Sequence, residues 1–234
     1  MNNEAERIAI VLAGGSGLRL GADVPKAFVP LLGRPLLWRS VWALVKAAAP
    51  GRVVVVVPDG QVRSAQEALD DIEPRPEVVI GGATRMRSLE QALAACGADP
   101  LAIAFVHDAA RPFVSPDVVG RLIAALGSNG VDAAIPVTMP AQTAKWLAPG
   151  GGEVVLTLER GRVALAETPQ AVRLGRLREG LDQALSCGFE APDEAALIER
   201  IGGMVRAVDG GRSSLKVTWP EDLRAAELRA QSEE

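Results

Sequence analysis

The chain has 234 residues, 48% of them hydrophobic and 23% charged, with a formal net charge of −4 at pH 7. This composition predicts a folded globular protein and argues against nucleic acid or an anionic membrane as its main partner. The chain has one histidine and no CxxC pair, which argues against histidine-rich zinc sites and redox dithiols. It also has no apolar run of the ~18–20 residues that a bilayer span requires. The acidic N-terminal stretch is not typical of a signal peptide, so we expect a cytoplasmic protein in which Cys96 and Cys187 are buried and reduced.

The first half of the chain alternates short apolar runs with stretches of helical periodicity. The apolar runs predict strands at 8–12, 53–57, 77–80 and 101–106. The helical stretches predict helices at 35–48, 61–71, 87–96 and 116–126. Runs that are apolar throughout are typical of parallel strands covered on both faces. The alternation therefore predicts an α/β fold with a doubly wound, mostly parallel sheet, in which ligands bind beyond the carboxyl ends of the strands.

The pattern changes after a further apolar run at 133–137. Residues 138–170 show no helical period and place Pro-Gly-Gly-Gly at 149–152 between two extended pieces, which predicts a projecting β-hairpin arm. The two extended pieces of this hairpin lie at 143–147 and 153–158. The later sequence predicts two helices, at 173–186 and 193–201, and then a strand pair formed by 205–208 and 215–218. A terminal helix is predicted from Pro220 onward. We expect residues 1–234 to form a single domain that includes this arm.

A glycine-rich loop follows the first predicted strand. Gly14, Gly15 and Gly17 would let backbone N–H groups approach an anion closely, and the cations Arg19 and Lys26 follow. The loop has neither the GK[ST] ending of a Walker motif nor the GxGxxG spacing of dinucleotide-binding proteins. Because a triphosphate under attack requires cations on its oxygens, the loop predicts a nucleoside triphosphate site. The alternative is an ordinary surface loop with two solvated cations.

The glycine loop and three later segments resemble one family of nucleotidyltransferases. The segments read GGATRMRS at 81–88, HDAARP at 107–112, and TPQ at 168–170 together with LKVT at 215–218. Together they are similar to the 2-C-methyl-D-erythritol 4-phosphate cytidylyltransferases of non-mevalonate isoprenoid biosynthesis. The resemblance spans residues 8 to about 226 and implies that CTP and the polyol phosphate react to give CDP-methylerythritol and pyrophosphate.

The resemblance also implies which residues bind CTP. The implied nucleotide-binding residues are Ala13, Gly14, Gly15, Gly82, Ser88 and Asp108. The glycine loop would cradle the phosphates, while Gly82 and Ser88 would lie beside the cytosine and select it. Arg19 and Lys26 would stabilise the charge on the α-phosphate, with Arg160 and Lys216 as the other implied catalytic residues. Mg²⁺ would be bound mainly through the CTP phosphates, without a dedicated set of protein ligands.

The acceptor is implied to bind partly across a homodimer. The implied acceptor-binding residues are Asp108, Arg111, Thr143, Arg160, Thr168 and Lys216. Arg160 matches an arginine that reaches the acceptor phosphate from the partner subunit, which makes residues 138–170 a dimerisation arm. The nucleophile is a phosphate oxygen that is already anionic, so no general base is required. We therefore expect His107 to orient the turn after it and not to act in the reaction.

Two alternatives stay open at the level of the sequence. Gln142 stands before Thr143 where the family usually has an aspartate, so the acceptor could be another polyol phosphate such as ribitol 5-phosphate. A non-catalytic nucleotide-binding protein on the same fold is the other alternative. Cations at both the α-phosphorus and a second phosphate argue against it, since a mere binder does not need them.

Overall fold

The computed structural model describes residues 5–15, 17–21, 24–97, 99–211 and 215–233. Within them the strands are β1 (Arg7–Leu12), β2 (Pro30–Leu31), β3 (Arg34–Pro35), β4 (Arg52–Val57), β5 (Glu77–Ile80), β6 (Ile103–Asp108), β7 (Val131–Thr138), β8 (Lys145–Leu147), β9 (Val154–Thr157), β10 (Leu165–Ala166), β11 (Gln170–Arg173) and β12 (Met204–Asp209). The helices are α1 (Leu36–Ala48), α2 (Val62–Ala68), α3 (Arg85–Ala95), α4 (Pro116–Leu126), α5 (Leu174–Cys187), α6 (Glu194–Arg200) and α7 (Pro220–Glu233). No helix in these ranges combines the length and apolarity needed to cross a bilayer.

The main sheet is mostly parallel, as predicted. Its strands lie in the order β5-β4-β1-β6-β11-β7, with β12 parallel to β7 and β10 antiparallel to it. The β5, β4, β1 and β6 strands are mutually parallel. Two strands are reversed: β11 is antiparallel to both of its neighbours, β6 and β7, and β10 is antiparallel to β7. The α/β class is therefore confirmed, and one reversed strand is inserted near the middle of the sheet.

Both faces of the sheet are buried, which explains the five consecutive valines of β4. Because side chains alternate across a strand, Val53, Val55 and Val57 pack into a core that includes residues of α1 and α4. Val54 and Val56 enter a second core on the opposite face, formed with residues of α3, α5 and α6. A third, smaller core lies beneath α7 and includes Val217. An apolar run without alternation thus correctly predicts a strand between two helical layers.

The segment 215–218 differs from its prediction. It is not a strand, and the predicted pair with 205–208 is wrong because β12 pairs with β7 instead. The segment is fixed at another place: the Val217 N–H donates to the Ala110 carbonyl at 2.8 Å, and the Val217 side chain is fully buried.

The prediction that both thiols are buried is half right, because Cys96 is buried but Cys187 is exposed in the last turn of α5.

The predicted hairpin is present, but only the middle of the predicted arm is separate from the main sheet, because Thr138, Leu165–Ala166 and Gln170 belong to β7, β10 and β11. β8 and β9 form their own two-stranded antiparallel sheet, with every residue exposed. The arm carries a group of exposed large apolar side chains: Met139, Trp146, Leu147, Val154, Val155, Leu156 and Leu165, each between 47% and 60% exposed. Exposed apolar patches are typical of sites that bind another protein, a membrane or a ligand.

Candidate active site

A cavity of about 190 Å³ opens at the carboxyl ends of β1 and β6. Its described lining residues are Leu12, Ala13, Gly15, Arg19, Lys26, Ala27, Asp108, Ala109, Ala110 and Lys216. The cavity thus gathers six of the predicted site residues from three distant parts of the chain. Its position agrees with the rule that ligands of open α/β sheets bind beyond the carboxyl ends of the strands.

The glycine loop closes tightly over the start of Lys26. Gly17 has a φ of +76°, and a Cβ built on it would lie 2.9 Å from the Lys26 backbone nitrogen, so this position requires glycine. Gly14 and Gly15 are exposed, as a phosphate cradle requires. The Ala13 N–H, in contrast, donates to the Val56 carbonyl at 2.8 Å and is therefore not offered to a phosphate. Ser16 of the same loop lies outside the described residues.

Three cations converge on the cavity. Burial, followed by the positive charges of Lys216 and Arg19, lowers the pKa of Lys26, while Asp108 and Asp222 partly oppose this. Arg19 is exposed, and its guanidinium carbon lies 5.7 Å from the ring centroid of Trp219. A cluster of like charges costs free energy in an empty site, and an anion with several charged oxygens relieves that cost.

Asp108 is the carboxylate that balances these cations. Its Oδ2 accepts from Lys216 Nζ at 2.7 Å and lies 3.8 Å from Arg111 Nε. Burial alone would raise the pKa of Asp108, but Lys216 and then Arg85 lower it below its ordinary value. The hydrogen bond that fixes Val217 to Ala110 also holds Lys216 against Asp108. The segment 215–218, although it is not a strand, therefore brings Lys216 to the cavity.

Arg111 and Thr168 lie beside Asp108 but are not among the described residues that line the cavity. The Thr168 hydroxyl accepts from the Asp108 backbone N–H at 3.2 Å and lies 2.9 Å from His107 Nδ1. His107 Nε2 in turn lies 2.9 Å from the Arg111 carbonyl oxygen. The expectation that His107 orients the turn that follows it is confirmed, since its ring contacts both Arg111 and Thr168.

Gly82 and Ser88 lie on the loop that joins β5 to α3, at the same edge of the sheet. A Cβ on Gly82 would lie 2.3 Å from Arg87 Cβ, and the Ser88 hydroxyl donates to the Gly82 carbonyl at 3.4 Å. Thr84 caps α3 by accepting from the Arg87 N–H at 3.2 Å. Neither Gly82 nor Ser88 is among the described residues that line the cavity, so they form a neighbouring surface two strands away from β1.

A buried ion pair between Arg85 and Glu194 lies beside the site and was not predicted from the sequence. Arg85 donates twice to the Glu194 carboxylate, at 2.6 and 3.0 Å, and Glu194 is fully buried. Arg85 Nη2 also lies 4.0 Å from Asp108 Oδ1. Asp193 caps α6, because its carboxylate accepts from the Ala196 N–H at 3.0 Å. The partner of Glu194 is 109 positions away, so no local pattern indicates it.

We expect Glu194→Gln to lower the free energy of unfolding by about 3 kcal/mol, because it removes the charge that compensates a largely buried guanidinium. The matched control is Glu199→Gln, an exposed residue on the same helix, which should change stability by less than about 0.5 kcal/mol. Urea unfolding of the two variants and the parent chain measures the difference. Equal stabilities for the two variants would contradict a structural role for the Arg85–Glu194 pair.

Thr143 and Arg160 are the two predicted site residues on the arm, and neither lines the cavity. Both are exposed on the arm, and Arg160 lies in a short 3₁₀ turn, Arg160–Arg162, that follows β9. Its guanidinium donates to the Ala141 carbonyl at 3.5 Å, which is at the limit for such a bond. Neither residue is among the described lining of the cavity, so within one copy of the chain they are not placed at this site.

Comparison with known proteins decides the family. The family model of the 2-C-methyl-D-erythritol 4-phosphate cytidylyltransferases matches residues 7–231. The chain belongs to this family. A cytidylyltransferase of this name from Rubrobacter xylanophilus is 38% identical over 220 residues, covering 94% of this chain and 93% of the relative. One from Saccharopolyspora erythraea is 39% identical over 222 residues, covering 94% and 97%.

A solved structure extends the agreement to three dimensions. The 4-diphosphocytidyl-2C-methyl-D-erythritol synthase of Anaerococcus prevotii superposes with a TM-score of 0.83 at 26% identity, covering 97% of this chain and 99% of that chain. In this chain the glycine loop meets the end of β6. The cavity with Arg19, Lys26, Asp108 and Lys216 lies at that position.

Proposed function

We propose that the chain transfers the cytidylyl group of CTP to 2-C-methyl-D-erythritol 4-phosphate and releases pyrophosphate. The observation that carries this proposal is the convergence of Arg19, Lys26 and Lys216 on one cavity whose described lining contains a single carboxylate, Asp108. Such an excess of positive charge suits a site for a triphosphate and a second phosphate together. The names of the relatives support the same pair of substrates.

In the proposed reaction a phosphate oxygen of the acceptor attacks the α-phosphorus of CTP, and the bond to the β-phosphate oxygen breaks. The nucleophile is already anionic, so no side chain has to remove a proton from it. Arg19 and Lys26 stabilise the additional charge on the α-phosphate oxygens, and Lys216 exchanges Asp108 for the acceptor phosphate. The residues act by position and charge, which is the dominant contribution in phosphoryl transfer.

Mg²⁺ belongs to this proposal, held mainly by the triphosphate. Asp108 is the one carboxylate in the described lining, and its Oδ2 is bound to Lys216, so the protein fits as the donor of at most one oxygen. A hard cation that keeps several water and phosphate ligands is compatible with so small a donor set. When bound, the ion neutralises charge on the departing pyrophosphate.

We also propose that the active unit is a homodimer joined by the arm. The exposed apolar side chains of β8 and β9 provide the contact surface, and an isologous pair would cover both copies of it. Each arm would then carry Thr143 and Arg160 to the partner's cavity, where Arg160 would bind the acceptor phosphate through two parallel hydrogen bonds. Residues 138–170 are in this view part of the single domain and of the neighbouring site.

The test is pyrophosphate release from CTP with each of two acceptors, 2-C-methyl-D-erythritol 4-phosphate and ribitol 5-phosphate. We expect release with the first acceptor and at least tenfold lower kcat/KM with the second, as missing or misplaced polar contacts cost about that much. Ribitol 5-phosphate is included because Gln142 stands where the family usually has an aspartate. Faster turnover of ribitol 5-phosphate would replace the proposed acceptor, and no release with either acceptor would refute the transferase.

We expect CTP to be preferred over UTP by at least about tenfold in kcat/KM, and ATP to be a still poorer substrate. A buried acceptor that faces the exocyclic amino group of cytosine is left unpaired by uracil, which costs about 1–3 kcal/mol. A purine is larger than cytosine, so we expect ATP to be excluded by size. Steady-state kinetics with the three nucleotides at a fixed acceptor concentration measures the ranking. Equal turnover of ATP would contradict the assignment of the base to Gly82 and Ser88.

A further inference from the structure

A second cavity, of about 750 Å³, lies outside the candidate active site. Its walls are formed by α1 with the turn before it, by the last turns of α7, and by the segment 112–116 that leads into α4, and we call it the α1–α7 cavity. None of the predicted site residues belongs to its described lining. A concave space of about 300–1,000 Å³ is typical of sites for small organic molecules. The function proposed above does not use this cavity.

Aromatic rings provide much of the apolar surface of the α1–α7 cavity. Trp38 and Trp42 lie four positions apart on α1, so they share one face of the helix. Their ring centroids are 5.8 Å apart and their planes differ by 17°. Trp42 remains 45% exposed, and Phe113 contributes a third ring to the lining. Uncovered rings inside a cavity suit a ligand with a flat apolar body, which can stack on them.

The wall that contains Trp38 is held in place from outside the cavity. Asp71 accepts from Trp38 Nε1 at 2.7 Å and from Arg34 Nη2 at 2.9 Å, and it is not in the described lining. The guanidinium carbon of Arg34 lies 4.6 Å from the ring centroid of Trp38. Because these contacts orient the side chains before a ligand binds, less conformational freedom is lost on binding.

The charge of the α1–α7 cavity is positive. Its described lining includes Arg34, Arg39 and Arg229 and no carboxylate, in a chain whose formal net charge is −4. Arg39 is half-buried and oriented by donation from Nε to the Leu31 carbonyl at 2.7 Å. The half-buried Arg229 places its guanidinium carbon 4.1 Å from the ring centroid of Phe113. A carboxylate, sulfonate or phosphate group complements such a wall.

The two cavities share a short stretch of chain. Ala109 and Ala110 line the candidate active site, and the segment 112–116 lines the α1–α7 cavity. The helix α1 also contacts this stretch directly, because the fully buried Ser40 donates from Oγ to the Ala109 carbonyl at 2.8 Å. A ligand that displaces α1 or the segment 112–116 therefore acts on the backbone next to Asp108.

We propose that the α1–α7 cavity is a second binding site of this chain, for an organic anion with a flat apolar body, and that its occupant changes turnover at the neighbouring active site. The aromatic rings bind the body of the ligand, and the arginines bind its anionic group. The binding part of this proposal is independent of the proposed function, whereas the effect on turnover rests on it.

The first test measures the binding of a defined probe, naphthalene-2-sulfonate, to the full chain by isothermal titration calorimetry. We expect saturable binding with a Kd below about 1 mM. The matched probe is 2-naphthol, which has the same rings without the sulfonate and should bind at least about tenfold more weakly. Equal affinities for the two probes would overturn the anionic specificity. No binding of naphthalene-2-sulfonate would overturn the site itself.

The second test locates the probe with variants. Arg229→Ala should weaken the binding of naphthalene-2-sulfonate about tenfold, and Trp42→Ala at least about threefold. The matched controls are Arg224→Ala, an exposed arginine on the same helix as Arg229, and Trp146→Ala, an exposed tryptophan of the arm. Both controls lie outside the described lining and should keep the Kd within about twofold of the parent chain.

A control that weakens binding as much as the variant it matches would place the probe elsewhere and overturn the assignment to the α1–α7 cavity. Should Arg229→Ala fail to fold, the comparison of Trp42→Ala with Trp146→Ala still decides it, because both rings are half exposed.

The third test measures the release of pyrophosphate with and without saturating naphthalene-2-sulfonate. We expect kcat/KM to change at least about fivefold, which is the usual lower range of coupling between two sites. Arg229→Ala should require about tenfold more probe for the same effect. Inhibition that CTP reverses completely and that Arg229→Ala leaves unaltered would place the probe in the active site and overturn the proposal.

Unchanged turnover of the parent chain with the probe bound would overturn the effect on the active site. A parent chain that releases no pyrophosphate with either acceptor would refute the proposed function, whereas the calorimetry decides the binding site by itself.

Discussion

Lys26→Ala should lower kcat by about 10²–10³-fold, the usual effect of removing one preorganised donor from a developing charge. The Lys26 ammonium is half-buried within a cluster of cations, and the tight turn at Gly17 fixes its backbone. Its charge acts most strongly when the α-phosphate gains charge during attack. We therefore expect a much smaller change in CTP affinity than in kcat. Pre-steady-state turnover and equilibrium CTP binding together measure the two effects separately.

Lys46→Ala is the matched control for this experiment, because Lys46 is exposed on α1 and packs over Trp42 outside the cavity. It should leave kcat within about twofold of the parent chain. A Lys26→Ala variant that keeps its kcat and loses only CTP affinity would show that Lys26 binds the ground state and does not stabilise the transition state.

Mixing two inactive variants, Lys26→Ala and Arg160→Ala, should restore about a quarter of the parent activity. If Arg160 serves the partner's cavity, each mixed dimer has one site with both changes and one site with neither. Random exchange of subunits makes half of the dimers mixed, and each of these has one intact site of two. Activity is measured before and after the subunits have been allowed to exchange.

The matched control is Arg162→Ala, which changes the other arginine of the same exposed turn. This variant should be active by itself, so the effect of Arg160→Ala would not be a general effect of charge on the arm. Subunits that exchange without any return of activity would place Arg160 in its own subunit's site. A chain that sediments as a monomer at assay concentration would exclude the shared site altogether.

Local pattern was sufficient for the parts of the fold in which neighbouring residues determine the outcome. The valines of β4 predict a strand buried on both faces, and residues 116–126 predict α4 with its exact bounds. The segment 215–218 has the same β-branched character, yet it is irregular because its backbone pairs with Ala110 and not with a strand. The missed β11 has only four residues, and its neighbours β6 and β7 supply the pairing that makes it a strand.

The candidate site also has parts that could be predicted from the sequence and parts that could not. The glycine loop, Asp108 and Lys216 could be predicted because short motifs carry them, and the cavity brings them together. The Arg85–Glu194 pair could not, since it depends on the packing of α3 against the region of α6 and joins residues 109 positions apart. The hydrogen bond from the Ala13 N–H to the Val56 carbonyl could not be predicted either, because it depends on β4 lying next to β1 in the folded sheet.

The insertion of β11 between β6 and β7 has a consequence for synthesis on the ribosome. Both neighbours precede β11 in the chain, so until residues 170–173 have emerged, the backbone of Phe105 and Val106 presents an unpaired strand edge. Such edges invite pairing with other nascent chains. A fragment that stops before β11 should therefore aggregate. Thr168 lies two residues before β11, so its contacts with His107 and Asp108 also form late in translation.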